Sequence, residues 1–447
     1  MTETMHEQAA EILRRNDADG WTMAAPTLYP HQWSWDSAII AVGWAHLDPE
    51  RAMRELEHLY AAQWDNGKLP HIVFNPDADD PAEFPEAHWW DCSVASGAPP
   101  PPIRTSGLCQ PPVHASAVLR ICRLAERRDG RLSETMRRSL SGAYPRLLAW
   151  HRYLASERDP EGSGLVTIYH PWEGLDNSPR WDAALDRLTV GTVPAYRRRD
   201  LQAVDDPAER PSEQEYRRYL WLVELLKRAR YDDGEIQRSH PFLIKDVFFS
   251  AIFVAANEAL LELSRHVEAP EDDRREITRW IERGRRALAD RWDPELQLCL
   301  DYDLRVDRPI RVRTVAGFAP LVAGTDPVHR RALLEQLDSR FFTGHPDLRW
   351  PLPPSTSPED PAFDPRNYWR GPTWPVVNWF IWEALQRAGE HERAARLRDA
   401  ALEQIQAVGF SEYFEPFTGE PLGAESQSWT AAVALEWLAE GPALSLK

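Results

Sequence analysis

Apolar side chains recur at helical spacing through almost the whole chain, and that periodicity leaves few folds open. Segment 1–15 sets Met5, Ala9, Ile12 and Leu13 on one side, and 49–64 does the same with Met53, Leu56, Leu59 and Tyr60, the stripe that a helix buries against a neighbour. Further helices are predicted over 37–47, 112–127, 133–157, 211–230, 244–265, 271–290, 326–339, 376–388, 390–407 and 428–440. Alternating strand patterns are confined to short pieces near 164–169 and 298–304. Helical hairpins in this succession close into a ring of six inner and six outer helices, which gathers alternate loops at one end around a concave site.

The loops carry an unusual composition. Pro171-Trp172-Glu173-Gly174-Leu175-Asp176-Asn177-Ser178-Pro179-Arg180-Trp181-Asp182 holds three carboxylates, two indoles and an arginine, too polar for a core and too aromatic for an ordinary solvent loop. Indole faces stack on the apolar faces of sugar rings, and carboxylates bind hydroxyls or move protons. A simple turn whose Asp and Asn cap the next helix is the plainer alternative. Three further stretches repeat the mixture just before predicted helices: Tyr29-Pro30-His31-Gln32-Trp33-Ser34-Trp35-Asp36, then Asn367-Tyr368-Trp369-Arg370-Gly371-Pro372-Thr373-Trp374-Pro375, then Glu412-Tyr413-Phe414-Glu415-Pro416-Phe417-Thr418-Gly419 with Gln427-Ser428-Trp429-Thr430. Asp36 is placed as an N-cap, which leaves Gln32, Trp33 and Trp35 to a binding role. Twenty tryptophans, many beside Pro, Gly or Asp, favour a ligand cleft over packing. Residues 75–107 lack apolar periodicity and run into Gln110-Pro111-Pro112, so they read as a lid; His71 precedes it in a short extended piece.

A formal charge of −18 with arginines interleaved among acids excludes a nucleic-acid partner, which needs a basic face. No apolar run approaches the roughly 20 residues of a membrane span, no basic-plus-apolar leader precedes the first helix, and four cysteines lack any regular spacing. A cytoplasmic protein with neither a disulfide framework nor a metal site is expected; homo-oligomerisation stays open.

Asp176 and Glu412, on different rim loops, are candidates to face each other as acid and base, the pair that glycoside hydrolysis uses; Asp182 and Glu415 are the reserves. Here the residues carry a resemblance. Trp172 to Ser178 resembles the acid-bearing motif of the inverting α-glucosidases of glycoside hydrolase family 63 and, more distantly, of family 37 trehalases. Glu412 to Gly419 with Gln427 to Thr430 is similar to the base-bearing motif, and Tyr29 to Asp36 and Asn367 to Trp374 are similar to sugar-binding segments, in the same order. The nearest likeness is to short bacterial members of family 63 that hydrolyse glucosylglycerate and mannosylglycerate.

The resemblance implies an all-α (α/α)6 barrel, one catalytic domain over 1–447, inversion at the anomeric carbon, a small glycoside as substrate and no obligatory cofactor. It implies Asp176 as general acid and Glu412 as general base, with Tyr29, Trp33, Trp35, Asp36, His71, Tyr368, Trp369, Trp374 and Gln427 at sugar or glycerate contacts; Gln32, Gln110, Trp172 and Tyr216 are assigned to the same site. The lid matches no family pattern, and its tip offers only Trp89 and Trp90. Arg210, before the helix that carries Tyr216, is the candidate clamp for a glycerate carboxylate, with Arg180 and Arg370 next. A trehalase-like hydrolase of a neutral α-glucoside is the alternative, and a carbohydrate-binding protein without catalysis requires one carboxylate to be missing, which is not so here.

Overall fold

The computed structural model describes residues 2–78, 83–84, 86–202, 204, 206–324 and 326–440. Twelve of its helices build the frame: α1 (Thr2–Arg15), α2 (Ser34–Leu47), α3 (Pro49–Ala61), α4 (His114–Asp129), α5 (Glu134–Ser156), α6 (Val247–His266), α7 (Glu271–Asp290), α8 (Ala319–Ala323), α9 (Pro327–Leu337), α10 (Pro375–Arg387), α11 (His391–Val408) and α12 (Ser428–Ala439). The even-numbered ones touch in a closed circuit, α2 on α4, α4 on α6, α6 on α8, α8 on α10, α10 on α12, and α12 back on α2. Each odd-numbered helix packs outside one or two of them.

Sequence explains which helix goes where. In α2 every residue from Ser34 to Ala45 is buried, and in α12 every residue from Ser428 to Trp437; a helix without a polar stripe has to be enclosed on all sides. α7 instead buries one apolar stripe and keeps its charges outside the core, and α3 buries its stripe together with the ion-paired Arg51 and Glu55. Small residues bring the enclosed helices together: a Cβ on Gly43 of α2 would lie 2.5 Å from the Ala432 Cα of α12, so only glycine fits that crossing.

Caps set several boundaries more sharply than periodicity does. Asp48 starts α3 by accepting from Glu50 N and Arg51 N. Asp246 starts α6 by accepting from Phe249 N at 2.8 Å, which frees Ile244–Lys245, expected within that helix, to form a strand. That strand joins a four-stranded antiparallel sheet with Thr167–Ile168, Tyr302–Asp303 and Arg308–Pro309. Asp36 is not an N-cap: α2 already begins at Ser34, and Asp36 sits in its first turn.

Two further expectations need correction, and the lid region takes on detail. The segment expected over 211–230 is a helix, Glu213–Arg228, but it lies against the rim, where the Tyr219 carbonyl is 3.0 Å from His170 Nε2. Its place in the circuit goes to α8, too short and too uniformly apolar to show a period. The lid region holds the short helix Ala87–Trp90 and two 3-10 turns, and its piece Glu83–Phe84 pairs in parallel with Arg197–Arg198; positions 79–82 and 85 lie outside the described residues. Finally, α6 is long and apolar enough to cross a membrane, contrary to expectation, but most of it is buried as a core helix.

Candidate active site

A cavity opens at the end of the ring where α2, α10 and α12 begin. Fourteen of the sixteen anticipated positions line it: Tyr29, Trp33, Trp35, Asp36, His71, Gln110, Trp172, Asp176, Arg210, Tyr216, Tyr368, Trp369, Glu412 and Gln427. The other two stand behind it. Trp374 is fully buried, stacked on Trp369 with ring centroids 3.6 Å apart and planes within 3°, so it fixes that indole. Gln32 donates to the Glu55 carbonyl at 2.9 Å and to Glu55 Oε1 at 3.0 Å, which places it in a buried network with Arg51, Thr22 and Ser37.

The loop that carries Asp176 is anchored by a buried ion pair one turn before it. Arg158 Nη1 and Nη2 donate to Glu173 Oε2 and Oε1 at 2.9 and 2.7 Å, and Tyr169 N and Cys109 N donate to the same carboxylate. Burial pushes the Glu173 carboxyl up, but Arg158 and these hydrogen bonds outweigh it and hold the group at about 2. Asn177 ties this loop to the next, donating to Asn367 Oδ1 at 2.5 Å and accepting from Trp369 N at 2.9 Å. Leu175, Tyr368 and Ser426 have left-handed backbones, with φ of 51°, 42° and 52°. Each immediately precedes a cavity residue, Asp176, Trp369 or Gln427, and such strain collects where surrounding structure has to aim a side chain.

Glu412 is 1% exposed and fully engaged. Its Oε1 accepts from the Tyr29 hydroxyl at 2.8 Å; its Oε2 accepts from Arg210 Nη2 and Ala424 N, each at 3.0 Å. Arg210 Nη1 also donates to the Tyr29 oxygen at 2.8 Å. A side chain at Gly423 would strike Glu412 Oε2 at 2.4 Å, so that turn has to be glycine. Asp176 differs. Burial first, and the Glu412 charge second, push its carboxyl up to about 7, against opposing hydrogen bonds that include one from Tyr368 and against the Arg210 charge. Asp36 is likewise raised, by burial and then by Glu412 and Asp176. His71, wedged between Trp33 and Trp90 and bonded to Ser106 Oγ, is pushed down to about 3 by burial and is neutral.

Several polar atoms of the lining are buried without a hydrogen-bond partner: Trp33 Nε1, Trp429 Nε1, Gln427 Oε1 and Arg210 Nε. Buried polar groups are nearly always paired, so these orphans in the lining mark where a polar ligand belongs.

The cavity also includes Leu28, His31, Arg199, Asp200, Pro211 and Trp429. Trp429 and His31 lay within the aromatic-polar stretches and Pro211 beside Arg210, so a signal existed for them. Arg199 and Asp200 had none; the parallel pairing of Arg197–Arg198 with Glu83–Phe84 and the 2.5 Å Arg199–Glu86 ion pair bring them in. The reserves do not reach the site. Asp182 pairs with Arg370 at 2.6 Å, Arg180 with Asp301 at 2.9 Å, and Glu415 accepts from its own turn. Nor do most tryptophans: Trp90, Trp150, Trp181, Trp374 and Trp437 are fully buried core residues, because a wide ring needs bulky side chains to fill it.

The anchor under Asp176 is testable without reference to activity. Arg158→Met leaves a carboxylate buried and unpaired, which costs roughly 3–5 kcal/mol. Denaturant unfolding should show that loss, and Arg158→Met combined with Glu173→Leu should recover much of it; a single variant as stable as the parent contradicts the anchoring role.

Comparison with known proteins places this geometry in a family. Residues 29–430 match the model of the mannosylglycerate hydrolase MGH1-like glycoside hydrolase domain. The chain is 46% identical to the glucosylglycerate hydrolase of Mycolicibacterium hassiacum, over 96% of this chain and 97% of that one. It is 43% identical to a mannosylglycerate hydrolase of Thermus thermophilus, over 96% and 99%. The crystal structure of the family 63 mannosylglycerate hydrolase from another strain of Thermus thermophilus, in complex with Tris and D-glycerate, superposes with a TM-score of 0.88 at 42% identity, covering 97% of this chain and 99% of that one. A match across nine-tenths of the sequence and all but one residue of the cavity lining leaves one conclusion: the chain belongs to the MGH1-like glycoside hydrolases.

Proposed function

We propose that the chain hydrolyses the α-glycosidic bond of glucosylglycerate or mannosylglycerate, releasing a hexose and glycerate with inversion. The observation that carries this reading is the pairing of two carboxyls in one aromatic cavity, Asp176 pushed up to about 7 and Glu412 ion-paired with Arg210. A carboxyl that keeps its proton near neutrality can protonate the leaving oxygen, and a charged one can take a proton from the attacking water. Asp176 is the acid and Glu412 the base. The closed circuit of enclosed helices supports an (α/α)6 barrel acting as a single catalytic domain, with the lid and the 197–200 segment over its mouth.

The hexose lies against the indoles of Trp33, Trp35, Trp172 and Trp369, with Asp36, His71, Gln110 and Gln427 for its hydroxyls. The glycerate carboxylate meets Arg210, which keeps its Nε unpaired while Nη1 and Nη2 hold Tyr29 and Glu412; Tyr216 lines the same cavity. That orphaned donor favours a charged aglycone over the neutral one of a trehalase-like enzyme. A cytoplasmic location and independence of any cofactor belong to the same proposal.

The acid's pKa sets the pH response. Asp176 works only while protonated, so kcat/KM should fall as pH rises through about 7, and Asp176→Asn or Glu412→Gln should each lower turnover by on the order of 100- to 10,000-fold. A kcat/KM that stays level above pH 8, or a variant of near-parental activity, removes that carboxyl from its role. The carboxylate clamp is checked separately by assaying Arg210→Ala on glucosylglycerate, mannosylglycerate and trehalose. Loss of a charge-assisted bond should disfavour the glycerates by roughly 10- to 150-fold relative to the neutral sugar. An equal loss on all three would confine Arg210 to holding Glu412, leaving Arg199 as the remaining cation of the cavity.

A further inference from the structure

Acid–base catalysis with inversion, the reading on which this inference rests, leaves the two carboxyls in the wrong protonation states after each turnover. Asp176 has given its proton to the leaving oxygen, and Glu412 has taken one from water. Before the next turnover a proton has to leave Glu412 and another has to reach Asp176. Among the protein groups that touch Glu412, few can take that proton. Its Oε2 faces only donors, Arg210 Nη2 and Ala424 N, each at 3.0 Å, and neither can accept a proton. Its Oε1 faces the hydroxyl of Tyr29 at 2.8 Å. The Tyr29 oxygen lies 3.3 Å from the Tyr368 oxygen, and Tyr368 lines the same cavity as Asp176, close enough to act on its carboxyl. Two phenols therefore bridge the base and the acid.

We propose that Tyr29 and Tyr368 relay the proton from Glu412 back to Asp176 between turnovers. The proton on Glu412 Oε1 passes to the Tyr29 oxygen as Tyr29 gives its own proton to the Tyr368 oxygen, and Tyr368 gives its own to the Asp176 carboxylate. Each phenol gains one proton and loses one, so the net change is a protonated Glu412 and an ionised Asp176 becoming an ionised Glu412 and a protonated Asp176. Hydroxyl hydrogens rotate to serve either neighbour, which a relay needs. Burial holds both phenols well above their ordinary pKa, so the transfers are concerted and no phenolate accumulates. Arg210 Nη1, 2.8 Å from the Tyr29 oxygen, keeps that oxygen in line. The high proton affinity of Asp176, raised first by burial, draws the proton in the required direction.

A relay that resets the enzyme has a kinetic signature that a merely structural tyrosine lacks. Resetting contributes to kcat but not to kcat/KM, which covers only the steps from ready enzyme and free substrate to the first irreversible one. In full-length Tyr29→Phe and Tyr368→Phe, rapid-quench measurement of hexose release should give a burst matching the enzyme concentration, followed by a slow phase. We expect kcat to fall at least about tenfold more than kcat/KM. Added imidazole, a small diffusible proton carrier, should restore kcat, and the double variant should show no greater split than either single one, because a broken chain is broken once. If kcat and kcat/KM fall together, with no burst and no effect of imidazole, the tyrosines only position the carboxyls or the substrate, and the relay is wrong. Near-parental turnover by Asp176→Asn or Glu412→Gln in the same assay would overturn the acid–base reading itself, and the relay with it.

Discussion

A carboxyl group taken out of water keeps its proton unless a cation or hydrogen-bond donors hold its charge, and the rim of this ring is organised around that constraint. The Arg210 guanidinium and the Ala424 amide settle the charge on Glu412, while Asp176 receives no such pairing and retains its proton toward neutral pH. Glu173 shows what full pairing does in the same loop: three residues from Asp176, it is held at about 2 by Arg158 and two backbone amides. Carboxyls of similar intrinsic acidity are thereby driven in opposite directions over one short stretch of chain. The difference lies in the partners that each carboxyl finds.

Precision at the rim depends on layers behind it. Trp374 lies flat under Trp369, Asn177 joins the acid loop to the 367–374 loop, and Gln32 is held by Glu55 behind Trp33. The enclosed helices supply the rigid floor, since α2, α10 and α12 start where the cavity residues end. Near this floor Trp35 stacks on Phe380 and meets Trp429 edge-on, so the aromatic wall of the cavity continues directly into the core.

Much of this was legible in the sequence because mixed aromatic and acidic loops are costly to bury and have few other uses. The stretches around Trp33, Asp176, Tyr368 and Gln427 were each visible locally, and their common position before helices placed them on one rim. Residues that act through tertiary contact were not visible. Arg199 and Asp200 enter through a strand pairing between two segments with no periodicity, and α8 is five apolar residues in which no stripe can appear. Local reading also overrated tryptophan as a marker of binding: beside Asp or Pro, Trp90, Trp181 and Trp374 look exposed, yet the ring buries them. It likewise treated Arg210 as a clamp alone, since nothing near Arg210 in the chain announces Glu412 or Tyr29 as its partners.

The central claim is that Asp176 and Glu412 act from opposite sides of the scissile bond, with a water between Glu412 and the anomeric carbon. The configuration of the sugar as it leaves the enzyme reports on this directly. Proton NMR during the first minutes of hydrolysis of an α-linked glycerate, before mutarotation, should show the β-hexose. First release of the α-hexose would mean a covalent intermediate and retention, and would contradict the roles assigned to both carboxyls.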